Sequence, residues 1–109
     1  IRRTPGQRND RLWYSRVEKG KLSTSQLAPF AYDCLEGQPC FTPDGKRLFF
    51  MSRRPLPGTT ETSSEFRLWM VKKVNEGWGI PQYLPSVIDD HRPAQMSITK
   101  EGTIYFVSN

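Results

Sequence analysis

Five short blocks of this sequence recur in the same order 56 or 57 residues further along the chain. The segment RLW at residues 11–13 recurs at residues 67–69. The apolar run at residues 48–52 corresponds to a run of similar residues at positions 104–108. The remaining matches join residues 41–45 to residues 98–102, Gly20 to Gly77, and Leu27 to Leu84. A fixed period of this length is the mark of a repeat architecture, so we expect neighbouring units of one fold to account for nearly the whole chain.

Each block has the pattern of a β-strand or of a tight turn. The runs LFFMS and IYFVS are rich in aromatic and branched side chains, which favour strands. Each run follows a turn segment, Asp44-Gly45 in one repeat and Glu101-Gly102 in the other, where a hairpin needs a residue that tolerates positive φ. Eight glycines and nine prolines leave no window for a long helix. Further strands are predicted at residues 12–17, 38–42, 68–74 and 95–99, and around Leu27 and residues 83–84.

The sequence therefore predicts an all-β chain with four antiparallel strands in each repeat, which is typical of β-propeller blades. The hairpin segment FTPDGKRLFFMSRRP at residues 41–55 resembles that of TolB-type, WD-like β-propeller repeats. The segment RLWMV at residues 67–71 resembles the third strand of this family. The segment GWGIP at residues 77–81, followed by Leu84, resembles its passage into the fourth strand. The resemblance covers roughly residues 11–109.

The resemblance also implies boundaries between blades. Residues 1–37 are the second half of one blade, residues 38–92 form one complete blade, and residues 93–109 are the first half of the next. Propellers close with four to eight blades, so about two blades are part of a larger ring. We therefore expect a partial propeller whose partners include the remaining blades.

The positive charge of the chain is unevenly placed. The net charge of +5 comes from the first thirty residues, which hold seven basic and two acidic side chains. In the resembled family, the links that follow the second and the fourth strands share one face of the ring. Paired guanidinium groups suit carboxylates and phosphates, so we expect this face to bind an anionic ligand or an acidic protein segment. The alternative is a set of ordinary loop charges, with Arg53 packing its stem on the blade edge. The residues concerned are Arg2, Arg3, Arg53, Arg54, His91 and Arg92.

The tryptophans divide into two kinds. Trp13 and Trp69 share one repeat position, which indicates core between blades. Trp69 belongs to the complete blade and should be buried within this chain, whereas Trp13 belongs to a half blade and needs a sheet that this chain does not supply. Trp78 has Lys21 at its equivalent position and is the aromatic candidate for stacking on a ligand such as a sugar or a base. Its alternative role is packing.

No catalytic or metal site is predicted from these residues. The segment Asp89-Asp90-His91 has no serine elbow or second histidine beside it in the sequence, and a solvated loop explains it. Two cysteines and one histidine are too few for a closed zinc site, and no cofactor is expected. A disulfide between Cys34 and Cys40 is possible in an exported chain, but small half-buried thiols explain them as well.

These expectations favour a non-catalytic binding or scaffold module that recognises a protein or an anionic ligand through loops on one face. The alternative is the propeller portion of a larger hydrolase, such as a serine peptidase whose catalytic domain lies outside this chain. The resemblance implies an exported protein of the bacterial envelope, in the periplasm or outside the cell. Nucleic acid is not expected as a partner because no recognised binding motif is present. No run approaches the eighteen apolar residues that a membrane-spanning helix needs.

Overall fold

The computed structural model describes residues 10–85 and 95–107, and these residues form strands, turns and loops with no helix among them. The predicted all-β class is confirmed for this part of the chain. It follows that the described residues contain no helix able to cross a membrane. The strands are β1 (Trp13–Tyr14), β2 (Val17–Glu18), β3 (Lys21–Leu22), β4 (Gln26–Leu27), β5 (Glu36–Phe41), β6 (Arg47–Ser52), β7 (Arg67–Val74), β8 (Gly77–Trp78), β9 (Gln82–Tyr83), β10 (Met96–Ile98) and β11 (Ile104–Phe106).

The largest sheet, here called the central sheet, contains β5 to β9 and is antiparallel throughout. Its strands β5, β6 and β7 lie side by side in chain order, with Phe50 of β6 opposite Trp69 of β7. The two short strands β8 and β9 both pair with β7. The single fourth strand that the sequence predicts is thus two strands, separated by residues 79–81. Pro81 cannot donate to a ladder, which is consistent with the break.

Strand pairing repeats at the interval seen in the sequence. Trp13 lies opposite Leu27 where β1 pairs with β4, and Trp69 lies opposite Tyr83 where β7 pairs with β9. Both members of the pair are displaced by 56 residues. The sequence repeat is therefore also a repeat of strand register. The other corresponding pairs are Val17–Leu22 with Lys73–Trp78, and Phe41–Leu48 with Ile98–Ile104. The strand register therefore corrects two sequence matches: the equivalent of Trp78 is Leu22 and not Lys21, and that of Leu27 is Tyr83 and not Leu84.

The hairpin turns of the two repeats also share their hydrogen bonds. The N–H of Gly45 donates to the carbonyl of Thr42 at 2.8 Å, and the N–H of Gly102 donates to the carbonyl of Thr99 at 3.0 Å. Gly45 has a φ of +72° and Gly102 a φ of +96°, where a side chain would be strained. The glycines that the sequence analysis assigned to these turns are required by the backbone.

The core lies on both faces of the central sheet, because side chains alternate across a strand. On the first face, Phe50 and Trp69 pack with Leu12 and Ala28 of the preceding repeat. On the second face, residues of β6 and β7 pack against the hairpin of β10 and β11. The residues of the first cluster are Leu12, Ala28, Leu48, Phe50, Trp69 and Val71, and those of the second include Met51, Leu68, Leu84, Met96, Ile104 and Phe106.

The two clusters are built from equivalent residues. Leu12 belongs to the first cluster together with Phe50, and Leu68 belongs to the second cluster together with Phe106. Leu68 and Phe106 are the 56-residue equivalents of Leu12 and Phe50. Each repeat therefore packs on the next through the same contact surfaces, head to tail.

The outer faces of this stack are exposed. Trp69 is 4% exposed and Trp13, at the equivalent position of the first repeat, is 60% exposed. At the other end, Tyr105 and Val107 are each more than half exposed. The predicted burial of Trp69 within this chain is confirmed. Trp13 is exposed because, in the part of the chain that the structure describes, no sheet packs on its face.

Candidate functional site

Three of the predicted ligand-binding residues lie in the described ranges, and they lie at opposite ends of the central sheet. Arg53 and Arg54 follow β6, beside the start of β5. Trp78 lies in β8, beyond the turn that ends β7. The structure therefore does not bring the two arginines and the tryptophan together. The predictions for Arg2, Arg3, His91 and Arg92 concern residues outside the described ranges.

Arg54 is an internal residue. It is 7% exposed, and its Nε donates a hydrogen bond to Oε2 of Glu36 at 3.1 Å. Its Nη2 donates to the same oxygen and to the carbonyl of Phe30, the latter at 3.0 Å. Glu36 is 1% exposed, so each buried charge is compensated by the other. This burial corrects the expectation that Arg54 stands on an exposed loop face.

The carboxylate of Glu36 receives further donors. The N–H of Tyr32 donates to Oε1 at 3.0 Å, and the hydroxyl of Ser52 donates to Oε2 at 2.6 Å. The sulfur of Cys34 lies 3.6 Å from the Ser52 hydroxyl. We call Tyr32, Cys34, Glu36, Ser52 and Arg54 the ion-pair cluster. It fixes the loop before β5 and the loop after β6 to the same end of the sheet.

Aromatic rings surround the guanidinium of Arg54. Its central carbon lies 5.1 Å from the ring centre of Phe50, 5.4 Å from that of Trp69 and 5.7 Å from that of Tyr32. Cations are attracted to ring faces at these distances, more strongly when water is excluded. The ion-pair cluster is therefore continuous with the apolar core and serves the fold.

The two cysteines are not bonded to one another and remain free thiols. Burial raises the pKa of the Cys34 thiol, and the hydrogen bond with Ser52 opposes this shift only in part. Burial also raises the pKa of Cys40. Thiols of this kind stay protonated near neutral pH and are poor nucleophiles, as expected for small half-buried side chains.

Arg53 packs along the protein surface. Its guanidinium lies 4.8 Å above the ring of Phe66, and its Nε is buried with no hydrogen-bond partner among the described residues. Arg53 thus packs on an aromatic ring through its guanidinium, and whether it binds a ligand stays a prediction.

A groove of about 780 Å³ opens between the first repeat and the central sheet, and one of the residues that line it is Phe30, whose carbonyl accepts a hydrogen bond from Arg54. It lies beside the turn that joins β7 to β8. The groove has aromatic and proline walls, and Trp13 and Phe41 are more than half exposed. The aromatic and proline residues that line it are Trp13, Tyr14, Phe30, Phe41, Trp78, Pro29 and Pro39.

Trp78 is half-buried in this groove and is held by its neighbours. Its ring meets that of Phe30 edge-on with the centres 5.5 Å apart, and it lies 5.8 Å from the ring of Phe41. The Nζ atom of Lys73 lies 5.9 Å from the centre of the indole. The indole is thus fixed in place, as a surface that binds a ligand by stacking requires.

The charged side chains of the groove include more cations than acids. Arg16 and Lys73 line it together with one acid, Glu76. Lys46 lies next to Lys73, because the N–H of Lys73 donates to the Lys46 carbonyl at 2.8 Å. Ring stacking and attraction of negative charge are the interactions that such a surface offers to a ligand. No three His, Cys, Asp or Glu side chains within residues 10–85 and 95–107 are placed to hold a metal ion.

Sequence reasoning selected Trp78 but missed Glu36 and Phe41. A signal for Glu36 exists in the sequence: an acid lies two residues before the predicted strand at residues 38–42, and Arg54 lies two residues after the apolar run at residues 48–52. In an antiparallel hairpin these positions are adjacent, and Glu36 lies opposite Ser52. Phe41 lies at the end of the predicted strand at residues 38–42, just before the turn, and nothing in the sequence distinguishes it from other strand residues.

No protein-family model, curated protein or solved structure matches this chain. The site is therefore interpreted from its own geometry.

Proposed function

We propose that this chain is a non-catalytic binding or scaffold module of the β-propeller class, similar to TolB-type repeats. Its ligand would be an extended segment of a partner protein, held in the groove beside Trp78. The observation that carries the proposal is the fixed Trp78 indole in a groove of exposed rings bordered by Arg16 and Lys73.

The repeated packing supports the propeller part of the proposal. Antiparallel sheets that contact one another through equivalent residues, as Leu12 and Leu68 do, are the building principle of propellers and other repeat proteins. The first repeat packs on the central sheet, and the central sheet packs in the same way on the hairpin of β10 and β11, so three units follow one another.

The chemistry of the groove supports a peptide ligand. Aromatic-lined grooves accept prolines and apolar side chains of extended segments. Lys73 and Arg16 favour acidic residues at the flanks of such a segment. The ion-pair cluster holds its charges inside the fold, so the groove replaces the Arg53–Arg54 face as the proposed binding surface.

Selection from a random peptide phage library tests this function. We expect selected peptides to be rich in Asp, Glu, Pro and aromatic residues. Trp78→Ala should weaken their binding by roughly tenfold or more, as loss of an aromatic anchor does. Tyr105→Ala is the matched control, because Tyr105 is an exposed ring at the far end of the chain.

A second variant separates binding from folding. Lys73 is exposed, so Lys73→Glu should leave the fold intact and weaken acidic peptides. Peptides that bind the Trp78→Ala and Lys73→Glu variants as well as they bind the original chain would refute the groove as the site. The peptidase alternative makes a different prediction, a hydrolase domain with a Gly-x-Ser-x-Gly elbow in the same reading frame.

A further inference from the structure

We infer that this chain docks on anionic lipid bilayers through one end of the central sheet. This end carries the turn between β5 and β6 and the turn between β7 and β8, and we call it the turn end. The inference goes beyond the proposed peptide groove, because most of the side chains that carry it do not line the groove. These side chains are Arg47, Lys72, Val74 and Ile80.

Two pairs of neighbouring cations lie where β6 and β7 reach the turn end. Arg47 lies directly opposite Lys72, and the N–H of Lys73 donates to the carbonyl of Lys46 at 2.8 Å. All four residues are exposed. Like charges at opposed positions of a sheet lower its stability. A bound counter-charge removes this cost, so the two pairs indicate an anionic ligand.

These cations are not held in ion pairs within the part of the chain that the structure describes. None of its carboxylates forms an ion pair with any of the four cations. Asp44 lies in the adjoining turn, but its carboxylate accepts hydrogen bonds from the Lys46 N–H at 2.9 Å and from the Thr42 hydroxyl at 2.7 Å. The four charged groups are therefore available to a ligand.

The exposed cations of the described ranges all lie in or beside the hairpin turns. They belong to residues 16–21, 46–47, 72–73 and 100, whereas the basic residues at the other end are buried or half-buried. The acids of the same turn segments are half as many, namely Glu18, Asp44, Glu76 and Glu101. The exposed positive charge is thus concentrated at the turns and spans more than one repeat.

One cation position recurs in the repeat. The carbonyl of Lys72 accepts a hydrogen bond from the N–H of Gly79 at 2.8 Å, and the carbonyl of Arg16 accepts one from the N–H of Ser23 at 2.8 Å. Donor and acceptor are both displaced by 56 residues. Successive units therefore present a cation at the same place, which suits a ligand with negative charge spread over a wide surface.

Exposed aliphatic side chains lie beside the cations of the turn end. Val74 is 51% and Ile80 87% exposed, although the central sheet is covered by a packed layer on each face. Lys72 and Val74 lie on the same face of β7, because side chains alternate along a strand. Ile80 follows Gly79, which bonds to Lys72. Apolar side chains exposed on a polar surface mark contacts with membranes or proteins.

The placement of the cations favours a bilayer over a peptide. Lys73 lies on the first face of the central sheet and lines the groove. Arg47 and Lys72 lie on the second face, since they alternate with side chains of the first cluster. A segment bound in the groove contacts only Lys73. A bilayer that meets the turn end contacts cations of both faces with its anionic headgroups and receives Ile80 at the boundary of its acyl chains.

The first experiment measures co-sedimentation with lipid vesicles. We expect the chain to bind vesicles of phosphatidylserine and phosphatidylcholine in equal parts, and not vesicles of phosphatidylcholine alone. Arg47→Ala with Lys72→Ala should weaken binding by roughly thirtyfold, because each cation close to an anionic bilayer contributes about a fivefold gain. The melting temperature of this variant should not fall, since a like-charge pair is removed.

The matched control is Thr60→Glu with Thr62→Glu. It lowers the net charge by the same amount, but in the exposed loop between β6 and β7 at the other end of the sheet. This control should bind the vesicles nearly as well as the unmodified chain does. Equal loss of binding in the two double variants, or an unmodified chain that does not bind phosphatidylserine vesicles, would overturn the inference.

The second experiment identifies the side of the molecule that meets the bilayer. Ile80→Cys and Thr60→Cys are made separately in a chain with Cys34→Ser and Cys40→Ser, and each single thiol is labelled with an environment-sensitive fluorophore. Phosphatidylserine vesicles should shift the emission of the label at position 80 to shorter wavelengths and leave the label at position 60 unchanged. Equal shifts at the two positions would contradict docking through the turn end. Binding of soluble polyglutamate without binding of vesicles would assign this end to an acidic polypeptide and also overturn the inference.

Discussion

The guanidinium of Arg54 and the carboxylate of Glu36 form an ion pair inside the protein, although they lie 18 positions apart in the sequence. Glu36 is the first residue of β5, and Arg54 follows the last residue of β6 by two positions. The ion pair therefore joins the two strands of one hairpin at the end away from its turn. Ser52 and the Tyr32 backbone supply additional donors to the same carboxylate. The open end of the hairpin is thus held by the ion pair, and the other end is closed by the turn at Gly45.

We predict that Glu36→Ala lowers the free energy of unfolding by about 3–5 kcal/mol, because it leaves the buried Arg54 charge uncompensated. Urea denaturation followed by tryptophan fluorescence measures the change. Asp33→Ala is the control, since Asp33 is almost fully exposed and lies 3.8 Å from Arg11. An exposed pair contributes roughly 0–1 kcal/mol. Similar losses for both variants would show that the Glu36–Arg54 pair is not needed for stability.

The double variant Glu36→Leu with Arg54→Met should recover much of the loss. Replacing both partners of a buried pair with apolar side chains removes the charge without leaving either group unpaired. The rings of Phe50 and Trp69 beside Arg54 offer an apolar environment for the new side chains. A double variant as unstable as Glu36→Ala would contradict this reasoning.

Trp69→Ala and Trp13→Ala should differ sharply although the two residues occupy the same repeat position. Trp69 is buried and packs 5.5 Å from the ring of Tyr83, so its truncation should cost about 3–5 kcal/mol. Trp13 is exposed, so its truncation should cost far less. Thermal unfolding of the two variants compares these losses, and equal losses would refute the assignment of Trp13 to an open face.

Much of this fold could be predicted from the sequence because its determinants are local. The positive φ of Gly45 and Gly102 follows from turn motifs of a few residues, and the aromatic strands follow each turn directly. The burial of Trp69 follows from the repeat, because a second unit within the chain supplies the neighbouring layer.

The candidate site depends on contacts that are distant in sequence, and this is why it was only partly predicted. Trp78 was selected as an aromatic without a repeat equivalent, but its neighbours Phe30 and Phe41 come from other elements. The sequence places Arg54 in a loop, and only the register of the hairpin shows that Glu36 lies beside it. Pairing a loop charge with a buried acid requires the strand register, which depends on residues far apart in the sequence.

Thiol reactivity should follow the burial of the two cysteines. The pKa of each is raised by burial, and Cys34 lies deeper than Cys40. Since the thiolate is the reactive form, we predict that iodoacetamide labels both more slowly in the folded chain than in urea, with Cys34 the slower. Mass spectrometry after cleavage at Glu36, which separates the two cysteines, measures both rates at several pH values. Labelling of Cys34 at the rate found in urea would contradict its buried position.

The hairpin turn before β6 should lose stability in acid because of Asp44. The N–H of Lys46 donates to this carboxylate at 2.9 Å and the Thr42 hydroxyl at 2.7 Å, and these bonds lower the pKa of Asp44 below its ordinary value of 3.8. The ionised form therefore favours the folded chain above that pH, and its contribution disappears as the pH falls through the lower folded pKa.

We predict that Asp44→Ala lowers the melting temperature at pH 7. The difference in melting temperature between this variant and the unmodified chain should become smaller below pH 3.8. Thr42→Val removes one of the two donors, so the folded pKa of Asp44 should rise towards its ordinary value. The charge of Asp44 should then stabilise this variant less at pH 7, and its contribution should be lost over a narrower pH range just below 3.8. Melting curves from pH 2 to pH 7 record both effects for the three chains. A difference that stays constant across this range would mean that the charge of Asp44 does not stabilise the turn.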